Sequence, residues 1–161
     1  LIGEVANFPN LVIVRSLTKF YSLPGLRLGY AIAHPDRLHR WQQWRDPWSV
    51  NALAVVAGIA VVGDQDFEAR TRTWLEAARP QLYQGLKGLP GLDPLPGAAN
   101  FLLVYSQWPV PELQTHLLRS HRILIRDCLS FPELGDRYFR VAVRTEAENQ
   151  RLLDALARCC P

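Results

Sequence analysis

From Ser16 to Gly29 the chain reads SLTKFYSLPGLRLG, and four of these side chains could act together on one molecule. A lysine amine attacks a carbonyl only when unprotonated, so its reference pKa of about 10.4 must be lowered by partial burial or a nearby cation. The stretch offers both to Lys19, which directly follows a strand-like run. Arg27 comes eight residues later, beyond Pro24 and Gly25, and its rigid fork of donors can grip a phosphate. Ser16 and Thr18 add hydroxyls to the same oxygens. The four suit a phosphorylated aldehyde: the amine makes a carbon–nitrogen double bond and the other groups secure the charged tail.

Further along, Arg126 and Arg140 fall on separate strand-like segments. A carboxylate and a phosphate that must both leave water each favour a bidentate cation, and this pair could supply two. Arg137 and Arg144 read as surface salt-bridging residues. Asn51 and Asn100 could present amides to a ligand or cap backbone groups. His34, His39, His116 and His121 show no metal-ligand spacing, and no metal site is expected. Cys128, Cys159 and Cys160 are odd in number, with two adjacent at the end, which makes a poor disulfide framework and points to a reducing cytoplasm. Cys128 reads as a small buried hydrophobe, and the five tryptophans as core.

These groups need elements to position them. Leu11–Ser16 is a nearly continuous apolar run, read as a buried strand of a parallel or mixed sheet, and Leu28–Ala33 as a second strand. Asp36–Arg45 has helical spacing. Ser49 reads as the N-cap of an apolar helix, Val50–Val62, that must be buried on all sides. From Asp66 the periodicity becomes amphipathic and runs to Gly88 and Pro90. Phe101–Tyr105, Ile123–Ile125 and Tyr138–Val143 are expected strands, and Glu112–Ser120 an expected helix. Thr145 and Glu148 have the spacing of a capping box opening a last helix. The boundary is placed near Gly63, giving domains 1–62 and 63–161.

Composition narrows the class. With 161 residues, 48% hydrophobic, and a net charge of +3, disorder is excluded. No apolar run approaches the ~20 residues of a membrane span. Only Lys19 and Lys87 are lysines, and the arginines are scattered rather than striped with aromatics, so nucleic acid is not an expected partner. No repeat, low-complexity tract or targeting signal is visible. The absence of methionine reads as a piece of a longer protein.

The lysine segment resembles the signature of the class I/II group of fold type I pyridoxal-phosphate aminotransferases. The resemblance implies an α/β fold: the end of a large mixed-sheet domain, a buried connecting helix and a small α+β C-terminal domain. It also implies that Lys19 is the Schiff-base and proton-shuttling residue, with Ser16, Thr18 and Arg27 on the phosphate of pyridoxal 5'-phosphate. Arg15–Tyr30, Trp48–Leu53, Arg122–Cys128 and Arg137–Arg144 resemble the threonine-phosphate decarboxylases of cobalamin synthesis, related to histidinol-phosphate aminotransferases. On that likeness Arg140 clamps a substrate carboxylate or other anion and Arg126 contacts the phosphate of an amino-acid phosphate. Either decarboxylation of threonine O-phosphate or transamination of histidinol phosphate with 2-oxoglutarate fits, in a cytoplasmic homodimer; a non-catalytic remnant or interaction module is the third reading. The family's pyridine-binding aspartate, stacking aromatic and glycine-rich phosphate loop have no counterpart here, so the chain alone is expected to be inactive or nearly so.

Overall fold

Val12–Ser16 (β1) and Gly29–Ala33 (β2) form an antiparallel ribbon in register Val12 to Ala33 and Ser16 to Gly29. The computed structural model describes residues 1–159, so Cys160 lies outside the described residues. Two compact units are present, Leu1–Thr71 and Arg72–Pro161.

In the first unit, Gly29 has to be glycine: a Cβ there would sit 2.8 Å from the backbone oxygen of Arg15 on the facing strand. Helix α1, Pro35–Trp44, is opened by His34, whose Nδ1 accepts from the Asp36 N–H, with Pro35 at its first position. Helix α2, Ala52–Val62, is capped not by the expected Ser49 but by Asn51, whose Oδ1 accepts from Ala54 N–H at 2.8 Å. Ser49 instead accepts from Arg45 Nε.

The first unit overturns three expectations of burial. The β1 strand pairs antiparallel with β2, and Val14 is 75% exposed. A continuous apolar run signals a strand covered on both faces, but among the described residues no second layer lies over Val14. Helix α2 buries only Ala54 and Gly58, leaving Ile59 74% exposed, because the small residues alone face the rest of the unit. Trp44 and Trp48 are likewise exposed rather than core.

Helix α3, Gln65–Lys87, runs through the division between the units. The second unit folds around a four-stranded antiparallel sheet of Leu92–Pro94 (β3), Phe101–Ser106 (β4), Arg126–Asp127 (β5) and Tyr138–Ala142 (β6), in the order β3-β4-β6-β5. Strand alternation puts Leu102 and Val104 of β4 and Phe139 and Val141 of β6 on one face. They pack with Leu82 and Leu86 of α3, Val110 and Leu113 of α4 (Val110–His116), and Leu152 and Leu156 of α5 (Glu146–Cys159). The opposite face carries Leu103 beside Arg140.

Two boundaries differ from the sequence reading. The helix expected over Glu112–Ser120 ends at His116 and gives way to one wider, π-type turn, Leu117–His121, closed by Arg122 in the left-handed region at φ 56. The strand expected at Ile123–Ile125 therefore starts later, at Arg126, and β3 carried too short a pattern to be seen. Of the capping box, the half made by Glu148 is present: its carboxylate accepts from both the hydroxyl and the N–H of Thr145. Among the described residues no helix is long and apolar enough to cross a membrane.

Candidate active site

The loop between β1 and β2 is pinned at its base. Leu17 N–H donates to Leu28 C=O at 3.1 Å, extending the ladder by one pair, and both leucines pack on Gly58 of α2, where a Cβ would meet Leu28 at 2.5 Å. Closing the loop this way brings Ser16 and Thr18, at its start, to the same end of the ribbon as Arg27, at its finish. Thr18 is buried, and its hydroxyl lies 2.8 Å from that of Ser16. Arg27 adopts a left-handed backbone, φ 53, and its guanidinium makes a hydrogen bond to Pro24 C=O, leaving other donors toward solvent. The Asn51 that caps α2 also donates from Nδ2 to Leu26 C=O, so one amide ties the arginine's loop to the helix. Asn51 thus serves a structural contact.

Lys19 is exposed, so the first unit does not itself supply the partial burial expected for its amine. Beside it, Phe20 and Tyr21 meet edge-on at 4.9 Å, and Tyr21 stacks on Phe67 at 5.8 Å. The donor set of this loop, one amine, two hydroxyls and a guanidinium, matches an aldehyde phosphate, and no carboxylate occurs between Ser16 and Gly29 to repel the phosphate.

In the second unit, the register places Arg126 of β5 directly opposite Arg140 of β6. Like charges so placed repel. The Arg140 guanidinium lies 4.0 Å over the Phe101 ring, and its Nε is buried with no hydrogen-bond partner. The carboxylate next in sequence to Arg126, Asp127, is engaged elsewhere: it accepts from Leu129 N–H and Gln114 Nε2, and the former bond leads in holding its carboxyl below the usual range. Among the described residues no acidic side chain forms an ion pair with Arg126 or Arg140. Both line a groove of about 430 Å3 together with Arg122 and Arg144. Arg144 is neutralised by Glu148, at 2.7 Å, and Arg137 is spent on Asp136 and the Gln107 carbonyl. Arg126 and Arg140, with Arg122 beside them in the groove, are therefore left for an anion. Cys128 is buried beside them, and burial pushes its thiol up more strongly than the Arg140 charge draws it down.

Sequence reasoning missed a third cluster. His116, His121 and Cys159 come together in the second unit, although the histidines were read as lacking metal spacing. The signal was available, since the two are separated by four residues, within the spacing found in zinc sites.

The mixed α/β fold agrees with what comparison with known proteins returns. The profile of the class I and II aminotransferases matches residues 1–156, and the chain belongs to that family, whose cofactor is pyridoxal 5'-phosphate. It is 46% identical over 149 residues to a threonine-phosphate decarboxylase of Salmonella typhimurium, covering 92% of this chain and 41% of that protein. It is 40% identical over 152 residues to a histidinol-phosphate aminotransferase of Symbiobacterium thermophilum, covering 94% and 41%. The crystal structure of histidinol-phosphate aminotransferase from Sinorhizobium meliloti in complex with pyridoxal-5'-phosphate superposes with a TM-score of 0.82 at 27% identity, over 98% of this chain and 43% of that one. The chain thus spans about two fifths of the length of the relatives it matches.

Proposed function

We propose that the chain supplies the lysine and the substrate-anion arginines of a pyridoxal-phosphate enzyme that removes the carboxylate of L-threonine O-3-phosphate, giving 1-aminopropan-2-yl phosphate. The observation that carries this reading is the Arg126–Arg140 pair, opposed across a ladder with one buried nitrogen unpartnered, an arrangement whose cost a bound anionic substrate would relieve. The likeness to a threonine-phosphate decarboxylase supports the choice of substrate.

In this reading Ser16, Thr18 and Arg27 hold the cofactor phosphate, and Lys19 is its covalent attachment point. When bound, the cofactor serves as an electron sink for the substrate α-carbon. Arg126 binds the substrate phosphate, and Arg140 binds and orients its carboxylate or a second anionic group. Once the substrate amine has displaced it from the cofactor, the freed Lys19 Nζ would deliver a proton to the α-carbon in place of the departing carbon dioxide, and the phosphate grip of Arg126 would keep the product oriented until release. The intact protein works in the cytoplasm as a homodimer, and the 161-residue chain alone turns over little or no substrate, because the groups that bind the pyridine ring are not in it.

Incubating the full-length enzyme with threonine O-phosphate should release carbon dioxide and form no glutamate from 2-oxoglutarate. Transamination of histidinol phosphate is the second reading, favoured by the 40% identity to an enzyme of that name; glutamate formation with histidinol phosphate, and no carbon dioxide from threonine phosphate, would establish it instead. Reduction with borohydride in the presence of cofactor should label Lys19, and a label on Lys87 would refute the assignment of the lysine.

A further inference from the structure

The reaction above leaves three ligating side chains of the second unit without a task. His116 ends α4, His121 ends the wide turn that follows, and Cys159 is the last residue of α5. One ring nitrogen from each histidine and the Cys159 Sγ all lie within 4.8 Å of one another. We propose that His116, His121 and Cys159 bind a Zn2+ ion, with the fourth position open to water, in a site separate from the lysine loop and the arginine pair.

The donor set selects the ion. Imidazole and thiolate suit borderline-soft cations such as Zn2+, whereas Mg2+ and Ca2+ take oxygen ligands. Bonds of about 2.0 Å to nitrogen and 2.3 Å to sulfur set tetrahedral donors roughly 3.3–3.6 Å apart, so the cluster needs to contract by about an ångström. Rotation about side-chain bonds can supply that, because His116 is exposed and Cys159 is the terminal residue of its helix.

The backbone brings the histidines together. On a regular α-helix two residues five apart point about 140° away from each other. The π-type turn over Leu117–His121 closes one residue later than an α-turn, and the two rings come to 6.2 Å between centroids. The turn is held in that shape: Arg122 takes φ 56, Ile123 N–H donates to Leu117 C=O, and Arg151 of α5 donates to His121 C=O at 2.6 Å. That last bond ties the turn to the helix that carries Cys159. Among the described residues no hydrogen bond occupies either imidazole or the thiol, so the three donors are free for a metal.

The local charge is compatible with a dication only if the sulfur ionises. Arg119 lines the groove beside His116, while Arg151, Arg158 and Asp154 line the one beside His121. On binding, the S–H bond of Cys159 breaks, the Zn–S bond forms, and the proton passes to solvent, so the added charge is one unit rather than two. The ion would clip the end of α4 to the end of α5.

The test titrates the complete, reduced chain with Co2+ alone, reading the thiolate-to-cobalt absorption and the visible bands of tetrahedral cobalt, and then displaces the cobalt with Zn2+. One equivalent should bind, and Zn2+ should raise the midpoint of thermal unfolding. Cys159→Ser should abolish the thiolate band. His116→Ala, at an exposed position that leaves the fold intact by circular dichroism, should weaken Zn2+ binding by about 100-fold or more. Cys128→Ser and Cys160→Ser should retain the band. No thiolate band in the unaltered chain, a band that survives Cys159→Ser, or one lost on Cys160→Ser would each overturn the assignment.

Discussion

Two guanidiniums facing one another on an antiparallel ladder cost roughly 0.2–1 kcal/mol, and an unpartnered buried nitrogen adds about 1–3 kcal/mol. Arg126 and Arg140 incur both, and a bound dianion turns the first term attractive while filling the second. In the full-length enzyme, Arg140→Ala should therefore lower kcat/KM for an amino-acid phosphate by about 10- to 100-fold, the equivalent of the ~1.5–3 kcal/mol of a hydrogen bond to a charged group. Arg140→Lys should recover only part of it, since an ammonium lacks the planar fork. Steady-state kinetics of the two variants check this. A second residue-scale expectation concerns Glu148, held at about 2 by hydrogen bonds from Arg144 and then Thr145, well below its ordinary 4.5. A carboxyl whose folded pKa is depressed stabilises the native state above its unfolded value and loses that contribution as pH falls toward the folded one. The difference in unfolding midpoint between the native chain and Glu148→Gln should be constant above about pH 5 and close between roughly pH 4.5 and 2. Because the pair is exposed, the difference should be modest and shrink with added salt.

Among the elements, α2 shows how one side chain can serve both a helix and a loop. Asn51 caps α2 through Ala54 N–H and restrains the Arg27 loop through Leu26 C=O. Asn51→Ala should lower stability by about 1 kcal/mol, the usual cost of a lost N-cap, and should also weaken cofactor phosphate binding by freeing the loop. Denaturant titration and a cofactor binding isotherm separate the two effects. Asn51→Asp keeps the cap acceptor but loses the donor to Leu26, so it should restore stability without restoring binding. The nearly uniform apolarity of α2 led to an expectation of burial on all sides, but only the Ala54–Gly58 face packs within its unit. Hydrophobicity states that a surface must be covered; it does not state by what.

At the scale of the whole molecule, the second unit is held by a single apolar core centred on Phe139 of β6. Phe139→Ala should cost about 3–5 kcal/mol, a large share of the 5–15 kcal/mol typical of a domain, and urea unfolding followed by circular dichroism measures it. The same variant should remove the arginine pair's function, since Phe139 is the neighbour of Arg140 on the strand that sets its register. Most strands and helices were legible from periodicity, because a two-residue or 3.6-residue repeat records which face is covered. The lysine segment was legible for a similar reason: Ser16, Thr18, Lys19 and Arg27 lie within one short stretch, the end of β1 and the loop after it, so their types and spacing already contain the donor set. What the sequence could not convey was the outcome of contacts between distant segments. The facing of Arg126 and Arg140 depends on β5–β6 register, and the exposure of Val14 and Ile59 on which layers are present. The approach of Cys159 to the histidines depends on one turn being wound a residue wider than its neighbours. Local pattern determines chemistry within a loop and the period of an element; register, layer cover and turn closure are decided by packing energies summed over the folded chain.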